Sequence, residues 1–244
     1  MGEPTVILPG RGEIIGDSPD RRVVVLSDAD ELHATWSRFA AGRDGAGPHI
    51  HHLHTDLFYV LDGVLTVRLG PEDEQVAVAA GTLARVPPLV VHGFRNSGDA
   101  EVRYLNLHAP GCGFIGYMRG LRDGTGEDFD QDEPPADGGR PRSQATVGGE
   151  TVVIDERDRR VELLAELDPL IVSRVELAAG EAFSGGPVSH DRLESLFVLD
   201  GELELRAGDG PVNAPAGTWV QFPAGLPHSV SPAADGARYL ALRS

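Results

Sequence analysis

The sequence contains two copies of one pattern. Asp56 is matched by Glu194, and the tetrapeptide VLDG at residues 60–63 recurs at residues 198–201, each pair being 138 residues apart. A second set of matches, now 136 residues apart, pairs Gly81, Pro87 and His92 with Gly217, Pro223 and His228. The two missing residues fall where LGPEDEQV becomes AGDGPV, a loop that tolerates deletion. Similarity at a nearly fixed offset predicts a duplicated domain.

Each half has short apolar runs that alternate with a period of two and are broken by glycine and proline. Predicted strands are 22–26, 33–39, 64–69, 82–86 and 102–108 in the first half, and 151–154, 171–177, 202–206, 218–222 and 238–242 in the second. Helical spacing is confined to residues 114–121 and 162–167. Because closed antiparallel sheets protect their strand edges, we predict an all-β chain of two tandem double-stranded β-helix (jelly-roll) barrels.

The composition along the chain suggests where these barrels begin and end. We expect an N-terminal barrel at residues 1–121, a linker or draped loop at 122–149, and a C-terminal barrel at 150–244. Residues 124–149 are rich in Asp, Pro and Gly and have few apolar side chains, which is typical of a segment without its own core.

Charge and composition exclude several classes of function. With 38 acidic against 21 basic residues, the net charge of -17 repels nucleic acid and anionic membranes. Neither a membrane-spanning apolar run nor a signal-peptide pattern is present, so a cytoplasmic protein is expected. The single cysteine, Cys112, excludes a disulfide framework. The adjacent string Gly111-x-Gly113-x2-Gly116 matches a dinucleotide fingerprint, but its flanking strands read as antiparallel, so no nucleotide cofactor is expected.

Histidines are concentrated in one short segment of the first half. His49 and His51 project to the same face of an extended chain. A turn at residues 52–55 would bring Asp56 back beside them, and His92 would complete the set from a strand remote in sequence. Imidazole and carboxylate groups together suit iron, manganese, nickel, copper or zinc. The segment therefore predicts one transition metal ion per chain.

Other histidines leave alternatives open. His52 and His54 would become the inward pair if the strand register shifted by one residue. Otherwise they are exposed or support the ligands from outside. His33 and His108 lie in alternating strands and are expected in the core or in a pocket wall.

These residues resemble the two motifs of the cupin superfamily. The first motif, Gly-x5-His-x-His-x3 or x4-Glu-x6-Gly, is matched here by His49-x-His51-x4-Asp56-x6-Gly63. The second, Gly-x5-Pro-x-Gly-x2-His-x3-Asn, is matched by Gly81-x5-Pro87-x-Leu89-x2-His92-x3-Asn96. The resemblance implies metal ligands at His49, His51, Asp56 and His92. Asp56 replaces the usual glutamate and Leu89 a glycine, which affects the identity of the metal more than its presence.

The second half resembles a degenerate copy of the same motifs, so that the whole chain is similar to a bicupin. Glu194 and His228 keep their positions, but before the glutamate only His190 remains, with Val188 two residues earlier. His190, Glu194 and His228 form a possible second metal site. The alternative is that this pocket survives as packing or as a site for an organic ligand.

The resemblance extends to quercetinase-like cupins and implies a metal-dependent oxidoreductase of the dioxygenase kind. The metal would lower the pKa of an enol or phenol oxygen on a small substrate, which then reacts with dioxygen. Phe58, Val60 and Phe94 are expected to form the apolar substrate wall, and a homodimer is expected. No catalytic residue beyond the ligands can be named. Alternatives are a sugar- or acid-binding protein, a structural metal protein, and a metal-dependent isomerase or lyase.

Overall fold

A computed structural model describes residues 2–179, 186–208 and 210–244. The elements are β1 (Thr5–Ile7), β2 (Ile14–Ser18), β3 (Arg21–Ala29), β4 (Leu32–Phe39), β5 (Thr55–Asp62), β6 (Val64–Leu69), β7 (Glu74–Ala79), β8 (Leu83–Val86), β9 (His92–Arg95), β10 (Val102–Ala109), α1 (Phe114–Asp123), a 3₁₀ turn (Arg142–Gln144), β11 (Thr146–Val147), β12 (Thr151–Asp155), β13 (Arg159–Glu166), β14 (Ile171–Leu177), β15 (Glu194–Ala207), β16 (Gly210–Pro215), β17 (Trp219–Phe222) and β18 (His228–Arg243). The prediction of an all-β chain with two tandem barrels is confirmed. Within the described ranges, no helix is long and apolar enough to cross a bilayer.

The N-terminal unit spans Glu13–Gly149, all of which is described. An antiparallel sheet in the order β11-β8-β5-β10-β4-β3-β2 and a smaller one in the order β7-β6-β9 form its barrel. Between them lies a core of fully buried side chains such as Leu65 and Val67 on β6. Helix α1 ends at Gly124 in a left-handed cap and packs Phe114, Ile115 and Met118 against β2 and β3.

The C-terminal unit comprises Met1–Gly12 and Glu150–Ser244. Its sheet runs β1-β17-β15-β18-β14-β13-β12, with β16 paired to β15. The long strands β15 and β18 each bend at bulges and pair along two stretches. Strand β15 is therefore structurally equivalent to β5 and β6 together, and β18 is equivalent to β9 and β10 together. The repeated sequence thus folds into a repeated topology.

The glycine of the repeated VLDG tetrapeptide has the same structural role in both barrels. Gly63 and Gly201 both have positive φ, 77° and 73°. A Cβ atom at Gly63 would lie 2.6 Å from the carbonyl oxygen of Glu101, and one at Gly201 would lie 2.3 Å from that of Gly236. Any other side chain would clash with main chain at both places, so each hairpin requires glycine.

Three expectations from the sequence differ from the structure. Residues 162–167 are predicted as helical, but residues 162–166 belong to strand β13, because pairing with both β12 and β14 outweighs the local spacing. Residues 1–12, expected in the first barrel, place β1 against β17 of the second unit. Residues 122–149, expected as a linker or draped loop, lie within the N-terminal unit and contribute the buried Ala145 to its core.

Candidate metal centre

Four predicted ligands meet inside the N-terminal barrel. His49 forms an isolated bridge with His92 at the start of β9, and Asp56 lies near the start of β5. The Nε2 atoms of His49 and His51 are 3.2 Å apart. Asp56 Oδ2 lies 3.3 Å from His92 Nε2 and 3.8 Å from His51 Nε2. All four side chains are buried, and their ligand atoms lie within 4.8 Å of one another, so one ion could contact all of them.

The three histidines also share a tautomer. Each Nδ1 donates to a main-chain carbonyl oxygen: His49 to Gly47 (2.7 Å), His51 to Asp130 (2.5 Å) and His92 to Val90 (2.9 Å). Because a carbonyl oxygen only accepts, a neutral ring carries its proton on Nδ1 and a lone pair on Nε2. The three lone pairs and the carboxylate therefore face one another. This donor set fits a first-row metal ion.

Burial and neighbouring charges hold two ligands in their metal-binding forms. Burial, together with the charges of His92 and His51, lowers the pKa of His49 to about 3. Burial alone would raise the pKa of Asp56, but the surrounding imidazoles of His108, His51 and His92 outweigh burial and hold that pKa well below its usual value. Neutral imidazole and ionised carboxylate are the forms that bind metal ions.

Asp130 anchors the site from the segment that follows α1. Its carboxylate accepts hydrogen bonds from the backbone amides of His52 (2.9 Å) and Leu53 (2.8 Å), and it contacts His54 Nδ1 at 2.7 Å. Its main-chain carbonyl accepts the His51 hydrogen bond. The turn after His51 is thereby fixed from outside the barrel strands. Sequence reasoning missed Asp130, since it is one of many acids in a segment without periodicity.

A line of buried polar groups connects this anchor to the carboxylate ligand. His54 Nε2 lies 3.0 Å from His108 Nδ1, and His108 Nε2 lies 3.2 Å from Asn106 Oδ1. Asn106 Nδ2 donates to Asp56 Oδ1 at 2.5 Å. Burial lowers the pKa of His54 to about 4 and that of His108 well below its usual value. These contacts orient Asp56 so that Oδ2 faces the histidines.

A cavity of about 250 Å³ opens beside the cluster, and His49, His51 and Asp56 are among its lining residues. An ion held by the cluster would therefore face the cavity. Aromatic side chains form much of the wall: Phe39, Phe94, Phe114, Tyr117 and Phe129. Apolar walls around a few polar groups are typical of a small-molecule site.

The predicted substrate wall is only partly there. Phe94 lines the cavity, but Phe58 and Val60 are not among the lining residues and are fully buried in the core. The ring of Phe94 lies 5.0 Å from that of Phe58 and stands on its cavity side. Alternation along a strand places Phe58 and Val60 on the same face as Asp56. It carries no information about which side chain covers another.

The other predicted histidines take different roles. His52 points outward, about half exposed, and its Nε2 lies 2.8 Å from Asp132 Oδ2. His54 and His108 support the ligands as described, and His108 also lines the cavity. His33 is buried, its pKa is lowered by burial, and its Nδ1 accepts a hydrogen bond from the backbone amide of Ile115 at 3.3 Å.

The possible second site also comes together, but with a different balance of charge. Glu194 Oε2 lies 3.1 Å from His190 Nε2 and 3.0 Å from His228 Nε2, while Arg243 Nε lies 3.3 Å from Glu194 Oε1. Burial would lower the pKa of His228, but the hydrogen bond with Glu194 raises it above its usual value. Glu194 is thus surrounded by Arg243, a permanent cation, and by two histidines of the chain itself.

Comparison with known families agrees with both barrels. Residues 35–108 and 173–242 each match the family model of the cupin domain, and together they make up more than half of the chain. The chain belongs to the cupin family. The resemblance to a two-domain cupin seen in the sequence motifs is confirmed. A search of curated protein sequences finds no match.

Solved structures of similar fold include other cupins. Protein Ylba from E. coli has a TM-score of 0.70 at 12% identity, over 99% of this chain and 90% of that one. A putative glyoxylate-induced protein from Pseudomonas aeruginosa has a TM-score of 0.67 at 17% identity, over 100% and 89%. A salicylate 1,2-dioxygenase from Pseudoaminobacter salicylatoxidans has a TM-score of 0.65 at 13% identity, over 94% and 75%. At these identities the likeness shows the fold alone.

Proposed function

We propose that this cupin is a metal-dependent enzyme of the dioxygenase kind, acting on a small enolic or phenolic substrate in its N-terminal barrel. One observation carries the proposal: three members of a buried cluster of three histidines and one carboxylate line a cavity walled by aromatic rings. A metal with a purely structural role needs no such cavity. The salicylate dioxygenase among the proteins of similar fold supports the reaction class by analogy.

The chain's own residues have distinct tasks in this proposal. His49, His51, Asp56 and His92 would hold the metal, which would supply Lewis acidity toward a substrate hydroxyl and, if redox-active, access to dioxygen. Hydrogen bonds from Nδ1 and from Asn106 fix the orientation of these ligands.

The cavity wall supports a planar substrate. The rings of Phe39 and Phe94 are 5.9 Å apart, and Phe129 lies on the side of His51, with 5.3 Å between the ring centres. Such rings exclude water and offer flat apolar faces to an aromatic or enolic molecule.

The test is oxygen consumption by the metal-replete protein with a panel of phenols, catechols and 1,3-diketones. We expect substrate-dependent uptake that is abolished by the double change His51→Ala and His92→Ala. The matched control, His190→Ala with His228→Ala, is expected to retain uptake. If no compound causes uptake, the dioxygenase proposal fails. Binding without turnover, or anaerobic conversion of a bound compound, would then identify the binding protein or the isomerase or lyase.

A further inference from the structure

The cavity wall carries a second set of polar side chains besides the metal ligands. They are Arg21, Thr35, Ser37 and Tyr104, and they come from β3, β4 and β10, which are neighbours in the sheet. We call these four residues the anion pocket. Thr35 pairs with Asn106, which hydrogen-bonds to Asp56, whereas Tyr104 lies about 13 Å along β10 from His108, the residue paired with Asp56. The set therefore extends along the sheet from the metal cluster toward Arg21.

The positive charge of this pocket has no partner in the described part of the chain. No carboxylate there lies within ion-pair distance of Arg21, and Asp56 is the one acid among the cavity-lining residues. The guanidinium lies against Gly16 of β2, where a Cβ atom would come within 3.1 Å of Nη2. A glycine thus leaves the space that this cation occupies.

The hydroxyl groups of the anion pocket favour a ligand with acceptor oxygens. Thr35 is 1% exposed, and its Oγ1 has no hydrogen-bond partner among the described residues. Ser37 is also buried and hydrogen-bonds to the hydroxyl of Tyr104. A buried hydroxyl without a partner costs free energy, which a ligand with acceptor oxygens would recover.

We propose that the anion pocket binds the carboxylate of the substrate, whose class is then a small phenolic or enolic carboxylic acid. Guanidinium pairs with carboxylate through two parallel hydrogen bonds, and a hydroxyl can donate a third. The substrate's own hydroxyl then lies toward the metal cluster. This inference rests on the proposed function for that end of the molecule.

The test compares the binding of 4-hydroxybenzoate and 4-hydroxybenzamide to the metal-replete protein by calorimetry without oxygen. These probes share a ring and a hydroxyl and differ in the carboxylate, which lies across the ring from the hydroxyl. Wild-type protein is expected to bind 4-hydroxybenzoate about tenfold more tightly or better, because a charge-assisted hydrogen bond contributes that much. Arg21→Gln should remove this preference. Arg22→Gln is the matched control, since it removes the same charge from the opposite face of β3 and should keep the preference.

A second variant tests the pocket independently in case Arg21→Gln does not fold. Thr35→Val keeps the volume of the side chain, and it is expected to weaken 4-hydroxybenzoate binding several-fold while 4-hydroxybenzamide binding stays unchanged. Equal affinity of wild-type protein for the two probes, binding of neither, or a preference that survives Arg21→Gln would overturn the anion pocket. A carboxylate preference without any oxygen uptake would support the anion pocket and reject the dioxygenase proposal. Oxygen uptake without the carboxylate preference would support the dioxygenase proposal and reject the anion pocket.

Discussion

The two barrels place different groups opposite the same carboxylate. In the N-terminal barrel Asp56 pairs across β5 and β10 with His108, whose ring is held neutral by burial. In the C-terminal barrel Glu194 pairs across β15 and β18 with Arg243, a permanent cation. A carboxylate beside a neutral imidazole remains available to a metal ion, whereas a carboxylate beside a guanidinium is already neutralised.

Two further positions of the second barrel also lack the polar side chain that the first barrel has there. His49 and Val188 occupy equivalent places, because each bridges to the histidine of the second motif, His92 or His228. The valine removes one ligand. By register, Asn106, which orients Asp56, is replaced by Ala241. The duplicated fold has thus kept its strands and turns, while the second copy has Arg243 and two histidines around the carboxylate that corresponds to Asp56.

The largest expected effect separates the two sites by metal content. Purified protein should contain close to one equivalent of transition metal per chain, and the double change His51→Ala and His92→Ala should lose it, because half of the donor set is gone. Removing His190 and His228 should change the content little. Mass spectrometry of the metal provides the measurement, and full occupancy in the first variant would refute the assignment.

A single substitution should give the first barrel the cation that neutralises the carboxylate in the second barrel. His108→Arg places a guanidinium beside Asp56, where His108 Nε2 now lies 3.8 Å from Oδ1. We expect metal affinity to fall on the order of 100-fold, since the new cation both pairs the carboxylate and repels the ion. Competition with a chelator measures this. Arg243→His, the reverse change, should not lower the metal content, and unchanged affinity in His108→Arg would contradict the charge argument.

A smaller effect is expected from the anchor outside the strands. Asp130→Ala removes the acceptor of two backbone amides and the contact with His54, so the turn that carries His51 is held less firmly. Metal affinity should fall by about 10-fold. Asp132→Ala, which removes only the exposed partner of His52, is the control and should bind as wild type. Equal affinities in the two variants would show that Asp130 does not position the ligands.

The smallest effect is a difference in proton binding between the two sites after the metal is removed. His49, with a pKa lowered from 6.5 to about 3, binds fewer protons when folded, so its contribution makes the metal-free protein less stable as pH falls from 6.5 to 3. His228, with a raised pKa, contributes stability below 6.5 that is lost as pH rises through its folded value.

Titration of the imidazole signals by NMR tests this contrast. The midpoint of His228 should lie above 6.5 and that of His49 well below it. Glu194→Gln should lower the midpoint of His228, because it removes the hydrogen-bonded carboxylate. A wild-type midpoint below 6.5 for His228 would contradict the pairing.

Much of the fold could be predicted because its signals are local. Alternation identified most strands, and helical spacing at 114–121 agrees with α1. The same spacing at 162–167 was misleading, since β13 gains its hydrogen bonds from two neighbouring strands that a local pattern cannot contain. The edge strand β1 was missed for the same reason: its partner β17 lies more than 200 residues later in the chain.

The sequence by itself determined the duplication, the barrel class and the four residues proposed as ligands, because each depends on the spacing of residues within one motif or on repetition of that spacing. Only the tertiary structure decided what surrounds them. Asp130 reaches His52 across 78 residues, Arg243 and His108 face their carboxylates across a sheet, and Arg21 enters the cavity from another strand. Contacts between distant positions leave no periodic trace in a single sequence, so the charge around the ligands could be known only once the chain had folded.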